Sequence, residues 1–483
     1  MDDRDFLLTC DNGISAYKQI QLAKDLGMTV IVTDHHDIPF ELAGEKGREE
    51  KKYKIPPADA VIDPKQEDCP YPFKGLCGAA VAWKLMQELY REAGRPDDEI
   101  FNWIEYVGIA TVGDVMVLQD ENRVLVRMGL EALHHTRNTG LQELIRRNNL
   151  EMEELDAYHI GFVIGPCLNA SGRLDTAKRA LNLLLETDRQ KAAELAGDLF
   201  ALNASRKDMT QKGLDEAAKL VETGALANDR VLVIYLPDLH ESIAGIVAGK
   251  VRERFNKPTF VLTRSREETE RTEEERAKAE GTEEERAKAA EAEKADPAEK
   301  ADIIVKGSGR SIEAYPMSDE LGKVSGLLLK YGGHPMAAGL SLREDKVEEF
   351  REKLNENAAL TEEDLTPEIL IDSPMPVSYV RPELVRQLEL LKPFGNGNTK
   401  PVFAAKCVSC TNIKLVGRNR NVLKCRILDP HGGAVEAVCF RDAEAFRAFL
   451  NKNRTFDIVY YPSINSWMGV EKVEIVITGY RAS

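Results

Sequence analysis

The stretches FLLTCDNGIS (residues 6–15) and TVIVTDHHD (residues 29–37) decide the fold that this sequence predicts. Each begins with an apolar run that is typical of a buried strand, at Phe6–Cys10 and at Thr29–Thr33. The residues from about Ser15 to Leu26 have a helical pattern, and Gly27 is a stop signal. This order predicts two parallel strands whose carboxyl ends meet at one edge of a sheet.

Polar side chains follow both predicted strand ends. Asp11 follows the first strand, and DHHD (residues 34–37) follows the second. Asp114 lies in GIATVGDVM (residues 108–116), where a helical pattern changes to a loop. A lone Asp-His-His is often a chance match, and a histidine at a strand end is often only a packed core residue. Two carboxylates and an imidazole that converge would instead favour Mn²⁺ or Mg²⁺ over zinc.

Length and composition set limits on the class of protein. With 483 residues and 43% hydrophobic residues, the chain should divide into about three domains. The chain has no long apolar run, which argues against a membrane span, and its first residues are polar, which argues against a signal peptide. We therefore expect a cytoplasmic protein. The eight cysteines are scattered through a long chain without a secretory signal, which favours reduced thiols. Cys407 and Cys410 lack the second close pair that a structural zinc site needs.

The net charge of −16 does not exclude a nucleic-acid substrate. The tract Arg264–Asp302 holds 15 acidic and 9 basic residues, a local net charge of −6. It has almost no large apolar residues and predicts a solvated insertion. Residues 176–223 read as helical, and Val231–Leu236 begins a second α/β unit. From Ile369 onward, short apolar runs separated by turn residues predict a small antiparallel barrel.

These residues resemble the motifs of the DHH phosphoesterase superfamily and, within it, of the RecJ exonucleases. The segments that match are CDNGIS (10–15), TDHH (33–36), GDV (113–115), residues 64–85, GPCLNASGR (165–173), GSGRS (307–311), GGHPMAAG (332–339) and KPFGNGN (392–398). The resemblance implies an α/β fold with four parts: a DHH domain with a parallel sheet at 1–175, a helical connector at 176–228, a DHH-associated α/β domain at 229–350 with a charged insertion at 264–302, and an OB-like barrel at 365–483.

The resemblance also implies roles at the predicted metal site, where two Mn²⁺ or Mg²⁺ ions are expected. Asp11 would bridge the two ions, and His35 and Asp114 would complete the shell of one of them. His36 would contact the scissile phosphate, and Asp34 would orient the histidines. A packing or supporting role is the alternative for His36.

A second set of residues is expected to hold phosphate. By the resemblance, Arg173, Ser308 and Arg310 would grip a terminal 5′-phosphate, because guanidinium groups match phosphate geometry. Asn169, Gly332, Gly333 and His334 are the further DNA-binding candidates. The alternatives are arginines paired with surface carboxylates, and a tight glycine turn that leads into a packed helix.

The predicted barrel has features that suit single-stranded DNA. Basic residues alternate with apolar ones at Lys414, Arg418, Arg420, Lys424 and Arg426. Aromatic residues occur at Phe394, Phe403, Tyr460, Tyr461 and Trp467. A basic groove with a stacking surface binds single strands, although several of these aromatic side chains must form the barrel core.

The implied activity is 5′-to-3′ hydrolysis of single-stranded DNA in repair and recombination, with single-strand-binding protein and a RecQ-type helicase as possible partners. One alternative is a phosphodiesterase for short oligonucleotides or cyclic dinucleotides, which usually lacks a barrel. Another is a non-catalytic DNA-binding or scaffold subunit.

Such proteins also carry a first, aspartate-rich strand end, and we find no match to it before Phe6. The expectation is therefore a chain that lacks part of its metal site and is weakly active alone.

Overall fold

The computed structural model describes residues 6–43, 50–96, 98–224, 226–265, 303–417, 420–440, 443–467 and 470–483. The chain divides into two compact units. Unit 1 combines Met1–Pro166 with Ile369–Ser483, and unit 2 is Cys167–Glu368. None of the described helices combines the length and the apolar character that crossing a membrane requires.

Unit 1 begins with the predicted pair of parallel strands. In the three-stranded sheet, β2 (Thr29–Thr33) lies between β1 (Phe6–Cys10) and β5 (Ala60–Ile62), and all three run parallel. Helix α1 (Tyr17–Asp25) joins β1 to β2 and packs its buried residues against β2. The strands β3 (Phe40–Ala43) and β4 (Glu50–Tyr53) form a separate hairpin.

Helices complete the first part of unit 1, because their apolar faces bury a common core with the strands. They are α2 (Gly78–Glu92), α3 (Ile104–Gly113), α4 (Asp120–His134), α5 (Thr139–Arg147) and α6 (Ala157–His159), with short 3₁₀ helices at Glu99–Trp103 and Met152–Glu154 and a π-helix at Ile160–Ile164. The change from helix to loop that the sequence predicts around Asp114 is confirmed, because α3 stops at Gly113 and the chain turns at Asp114.

The second part of unit 1 is the barrel. Its strands are β11 (Ser373–Pro374), β12 (Phe403–Val416), β13 (Val422–Leu428), β14 (Ala434–Cys439), β15 (Phe456–Trp467) and β16 (Val470–Ala482). The order β12-β13-β14-β16-β15 closes because β15 also pairs with β12. Two helices, α13 (Pro382–Glu389) and α14 (Ala443–Lys452), and a 3₁₀ helix at Val377–Tyr379 accompany the strands.

Unit 2 contains helices and one mixed sheet. The helices are α7 (Gly165–Leu174, which begins in unit 1), α8 (Lys178–Leu185), α9 (Arg189–Thr223), α10 (Glu241–Phe255), α11 (Met317–Lys323) and α12 (Val347–Asn357), with 3₁₀ helices at Ser325–Leu327 and Glu344–Lys346. The sheet has the order β6-β7-β8-β10-β9 and consists of β6 (Leu232–Tyr235), β7 (Thr259–Arg264), β8 (Ile304–Arg310), β9 (Leu328–His334) and β10 (Ala337–Arg343).

The described ends of the charged tract require one correction. Arg264 was expected to open the insertion, but it is the last residue of β7 and its guanidinium donates to Glu344. Residues 266–302 lie outside the described residues, so the predicted insertion itself stays a prediction.

Candidate metal centre and phosphate site

The carboxyl ends of three adjacent parallel strands each lead into an aspartate. Asp11 follows β1, Asp34 follows β2 and Asp63 follows β5. The strand ends are in register, since the Asp34 N–H donates to the Ile62 carbonyl over 3.1 Å and the Asp11 N–H donates to the Thr33 carbonyl over 3.1 Å. Parallel pairing therefore gathers these carboxylates at one edge of the sheet.

Asp11 is held in an unusual conformation at this edge. Its φ is 61°, in the left-handed region that non-glycine residues seldom adopt and that aspartate tolerates better than most. Gly78, the first residue of α2, packs directly against it, because a Cβ at position 78 would lie 2.5 Å from the Asp11 Cβ. The start of α2 thus fixes the position of Asp11. Gly78 lies in the segment 64–85 of the resemblance, but no role was predicted for it.

His35 brings the two other predicted metal ligands together. Its side chain is buried, and its Nε2 lies 2.9 Å from Oδ1 of Asp11 and 3.4 Å from Oδ2 of Asp114. Neither ring nitrogen has a hydrogen-bond partner among the described residues, so the short approach lacks hydrogen-bond geometry. A buried imidazole nitrogen that faces two carboxylate oxygens needs either a proton or a cation between them. The arrangement therefore fits a metal ion.

Asp34 holds the histidine segment in two ways. It accepts hydrogen bonds from the backbone N–H groups of Ile14 and His35, and its Oδ1 accepts from Nδ1 of His36 over 2.7 Å. Burial opposes ionisation of Asp34, but these hydrogen bonds outweigh it and lower its pKa. The hydrogen bond to Asp34 also raises the pKa of His36. Asp34 thus contacts the His36 ring directly but His35 only through its backbone.

The donors in this cluster are sufficient for one cation. Single ligand atoms of Asp11, His35 and His36 all lie within 4.8 Å of one another, and they form the one such group of three or more metal-binding side chains in the described part of the chain. Asp114 adds a further carboxylate next to His35. Oxygen and imidazole donors without a thiolate fit Mn²⁺ or Mg²⁺. The second predicted ion would need more oxygen ligands than this group offers.

Asp63 is a site residue that the sequence analysis missed. It is buried, its Oδ1 accepts from the Lys65 N–H over 2.9 Å, and its Oδ2 has no partner among the described residues. Burial raises its pKa. The available signal was the same as for Asp34, an aspartate directly after an apolar run, AVI (residues 60–62).

The predicted phosphate residues of unit 2 lie in rows across three neighbouring strands. Arg310 pairs with Ala337 and Ala337 with His334, while Ser308 pairs with Gly339 and Gly339 with Gly332. Alternation along a strand directs both rows to one face. On that face α10 is close, since a Cβ at Gly245 would lie 3.0 Å from the Arg310 guanidinium.

The glycine pair is not a turn into a helix, as one alternative held. Gly332 and Gly333 lie on β9, which leads through a short turn into β10. His334 accepts the Met336 N–H at its Nδ1 over 3.1 Å, so the neutral ring carries its proton on Nε2. Gly333 has φ 145°, and a Cβ there would lie 2.3 Å from the Ala337 carbonyl oxygen. Only glycine fits this position.

Four arginines form an electrostatic cluster in unit 2, and two of them were missed. Burial, and then the charges of Arg173 and Arg252, lower the pKa of Arg310. Burial, and then the charge of Arg173, also lower the pKa of Arg206. Arg173, Arg206 and Arg310 donate to the uncharged acceptors Ser242 O, Asn203 Oδ1 and Gly309 O.

Arg252 is part of the same surface. Its Nε is buried without a partner among the described residues, and its nearest carboxylate, Glu253, is 3.7 Å away. It lies on α10 on the face that carries Ser242, Gly245 and Gly249. Asn169 is exposed and lies one helical turn from Arg173 on α7. Neighbouring guanidinium groups that repel one another and mostly contact uncharged acceptors indicate an anion site.

Some aromatic residues of the barrel lie in its core, whereas the described basic residues of the predicted groove are exposed. Phe403 and Tyr460 are core residues, whereas Tyr461 and Phe394 are only half-buried. Lys424 and Arg426 are exposed and alternate with buried neighbours, and Lys414 lies opposite Lys424. Arg420 is exposed, while Arg418 and the Trp467 side chain lie outside the description. None of the eight cysteines forms a disulfide.

Comparisons with known proteins identify three family matches. Residues 1–111 match the N-terminal domain of the DHH family, residues 228–360 match the DHHA1 domain, and residues 371–479 match the RecJ OB domain. These matches confirm the predicted fold class, with a DHH part, a DHH-associated part and an OB barrel.

Curated relatives match almost the whole chain. The single-stranded-DNA-specific exonuclease RecJ of Bacillus subtilis is 33% identical over 98% of this chain, and RecJ of Escherichia coli is 31% identical over 98%. The chain spans 53% of the Bacillus protein and 76% of the Escherichia protein.

Among solved structures, RecJ of Thermus thermophilus in complex with Mn²⁺ aligns with a TM-score of 0.77 and 26% identity. That alignment covers 99% of this chain and 62% of the Thermus chain. The sequence identity with RecJ proteins over almost the whole chain, together with the shared fold, shows that this chain belongs to the RecJ family of DHH phosphoesterases.

Proposed function

We propose that this chain forms the core of a metal-dependent exonuclease that hydrolyses single-stranded DNA from a 5′ end. The observation that carries the proposal is the position of Asp11 and Asp114 on either side of the unpartnered Nε2 of His35. Asp11, His35 and Asp114 would hold a divalent ion. Bound ions of this kind lower the pKa of a coordinated water and neutralise phosphate charge.

His36 would contact the scissile phosphate. Its side chain is 60% exposed, and Asp34 accepts its Nδ1 proton, so its Nε2 is directed away from Asp34. The hydrogen bond to Asp34 favours the protonated ring, which can donate from Nε2 to a phosphate oxygen. Asp34 would thus act as the residue that orients His36.

The arginine cluster of unit 2 would bind the 5′-terminal phosphate. Arg173, Ser308 and Arg310 supply two guanidinium groups and a hydroxyl, and His334 with Gly332 and Gly333 lies across the same sheet. We add Arg206 and Arg252 to this set, because Arg206 lies close enough to Arg173, and Arg252 to Arg310, for their charges to interact. Asn169 would contribute an amide from the same face of α7 as Arg173.

The barrel would hold the strand outside the catalytic site. Its exposed basic residues Lys414, Lys424 and Arg426 lie on adjacent strands, which suits a nucleic-acid backbone. The relatives in Bacillus subtilis and Escherichia coli are single-stranded-DNA-specific exonucleases, which supports single-stranded DNA as the substrate. Single-strand-binding protein and a RecQ-type helicase are proposed as partners, and the cytoplasm as the location.

The test measures hydrolysis and binding separately. The purified chain is titrated with Mn²⁺ in the presence of a long single strand that carries a labelled 5′-phosphate, and mononucleotide release is followed. In Asp11→Ala and His35→Ala the rate should fall about 100-fold or more, since each change removes a metal ligand. Binding of the same strand in EDTA should stay unchanged, because neither residue belongs to the arginine cluster.

His135→Ala is the matched control, since it removes an exposed imidazole far from the cluster in sequence. Dinucleotides and cyclic dinucleotides serve as competing substrates. Near-normal rates in Asp11→Ala or His35→Ala would refute the metal assignment. Faster hydrolysis of dinucleotides than of long strands would favour the small-substrate phosphodiesterase, and binding without Mn²⁺-dependent hydrolysis would favour the non-catalytic subunit.

A further inference from the structure

The segment after Asp114 has a backbone conformation that its own sequence does not favour. Asp114 ends α3 with φ −86° and ψ 6°, and Val115 follows with φ 57°. A β-branched residue in the left-handed region costs about 1 to 3 kcal/mol. The Val115 side chain is 67% exposed, so burial of that side chain does not hold the residue in place. The helix end holds part of this turn, because the Val115 N–H donates to the Val112 carbonyl and the Met116 N–H donates to the Thr111 carbonyl, both over 3.1 Å. Contacts from residues far along the chain add to these hydrogen bonds.

Those contacts come from residues 392–398 of the barrel part of unit 1, which we call the clamp loop. The Asn396 side chain donates from Nδ2 to the Val115 carbonyl over 2.8 Å, and the Leu118 N–H donates to the Asn396 carbonyl over 2.7 Å. The Gln119 amide donates to the Gly397 carbonyl over 2.8 Å. Asn396 thus contacts both ends of the segment 115–118, Val115 through its side chain and Leu118 through its backbone carbonyl.

The glycines of the clamp loop allow this close approach. A Cβ at Gly395 would lie 2.6 Å from Cδ1 of Leu118, which is buried. A Cβ at Gly397 would lie 2.5 Å from Val117, and Gly397 has φ 72°. The loop is also braced internally, because Asn398 donates to the carbonyls of Leu391 and Pro393 over 2.9 and 2.8 Å. The motif KPFGNGN is therefore built to dock on residues 115–119.

Arg123 widens the contact. Its guanidinium donates to the carbonyls of Leu390 and Leu391 over 3.2 and 3.0 Å. The docked surface therefore extends from the end of α3 to the first turns of α4, and its position closest to the metal cluster is the residue directly after Asp114.

We propose that the clamp loop is a positioning element for Asp114, and that Asn396 is its key residue. By holding Val115 in the left-handed conformation, Asn396 sets the direction in which the chain leaves α3 and so keeps the Asp114 carboxylate beside His35. This inference rests on the proposed function only in taking Asp114 as a metal ligand.

The test uses the full chain with the variants Asn396→Ala and Asn396→Asp. The aspartate keeps the shape of the side chain but removes the amide donor. Mn²⁺ affinity, measured by calorimetry, should fall about tenfold in both variants, as for other groups that orient a ligand. Without metal, hydrogen exchange at the Leu118 amide should become faster in Asn396→Ala. Asn465→Ala is the matched control, since it removes an exposed barrel asparagine with one side-chain hydrogen bond.

A second-site variant separates positioning from general destabilisation. Glycine adopts a positive φ without strain, so Val115→Gly should restore Mn²⁺ affinity in the Asn396→Ala background. Unchanged Mn²⁺ affinity in Asn396→Ala, or no recovery in the double variant, would overturn the inference. The proposed function fails separately if Asp114→Asn binds Mn²⁺ as tightly as the parent chain, because Asp114 would then not be a ligand.

Discussion

At the residue scale, the metal cluster depends on how little space surrounds Asp11. Because Gly78 has no side chain, the backbone and carboxylate of Asp11 fit in the space beside it. Asp11 itself adopts a strained φ, and strain of this kind persists only where the surroundings fix it. The ligand geometry at this point is therefore set by a residue that would make no contact with an ion.

The corresponding prediction concerns Gly78→Ala. The new methyl group would overlap the Asp11 Cβ, so Asp11 must move away from His35. We expect Mn²⁺ affinity to fall about tenfold and the free energy of unfolding to fall by about 1 to 3 kcal/mol. Calorimetry and chemical denaturation measure the two effects. Gly197→Ala, whose Cβ would meet nothing within 4 Å and which lies within α9, should leave Mn²⁺ affinity unchanged and should not lower the free energy of unfolding. Equal behaviour of the two variants would contradict the account.

A second residue-scale prediction concerns Arg206 and Arg252. Because like charges surround them, Arg206→Gln or Arg252→Gln should leave the thermal stability of the chain equal or higher. The preference for a 5′-phosphorylated over a 5′-hydroxyl strand should fall about tenfold in each, through loss of a charge-assisted contact. Binding in EDTA measures the preference. Arg254→Gln, on the same helix but paired with Glu222, is the control. A lower stability with an unchanged preference would assign the arginines a structural role.

At the element scale, the hairpin between β13 and β14 depends on one buried carboxylate. Asp429 accepts hydrogen bonds from the N–H groups of His431, Gly433 and Ser378 over 2.8, 2.9 and 3.0 Å. Burial opposes its ionisation, but these hydrogen bonds outweigh burial and lower its pKa. The ionised side chain therefore links the hairpin to the segment before α13.

The lowered pKa predicts acid sensitivity of the barrel. The stabilisation by Asp429 is present above the unfolded-state pKa, about 3.9, and is lost as the pH falls through the lower pKa of the folded state. Asp429→Ala should destabilise the barrel by about 2 kcal/mol at pH 7 and remove this part of the acid dependence. Hydrogen exchange of the β12–β14 amides, followed as a function of pH, measures both the loss of stability and its acid dependence. Glu471→Gln, which breaks an exposed ion pair with Arg386, should have little effect. An equal acid loss in Asp429→Ala and the parent chain would refute the assignment.

At the scale of the whole molecule, each unit is assembled from segments that are distant in sequence. Unit 1 joins residues before 167 with residues after 368, and the clamp loop is part of that contact. In unit 2, β7 and β8 pair antiparallel although residues 266–302 separate them in the chain. The Ser265 N–H donates to the Ile304 carbonyl over 2.9 Å, so the two strand ends are already adjacent.

This adjacency predicts that residues 266–302 can be replaced by a short Asn-Gly turn. Loop closure changes by only about 0.6 kcal/mol for each doubling of loop length, so the stability of unit 2 should rise by about 2.5 kcal/mol at most. The rate of DNA hydrolysis should stay the same. Thermal unfolding and the Mn²⁺-dependent assay measure these outcomes. A control that also removes Arg264 and Ser265 should lose stability, because Arg264 donates to Glu344. A large loss in the first variant would show that the tract packs or binds.

Local patterns in the sequence were sufficient to predict the bounds of the elements that bury an apolar face. The strands Phe6–Cys10 and Thr29–Thr33 have the bounds that their apolar runs predict. Parallel pairing of the first two strands then brought the aspartate and histidine that follow them together, because strand ends share an edge. The ligand roles of Asp11, His35 and Asp114 stay predictions.

Only the tertiary structure decided what surrounds these residues. Asp63 stands out because its buried Oδ2 has no hydrogen-bond partner among the described residues. Arg206 and Arg252 stand out because other arginines lie near them. No local sequence pattern shows either property. The contact between Asn396 and the Val115 carbonyl likewise joins residues that lie far apart in the chain. Periodicity reports whether a side chain faces a core, whereas space, charge and hydrogen-bond partners are properties of groups that folding alone brings together.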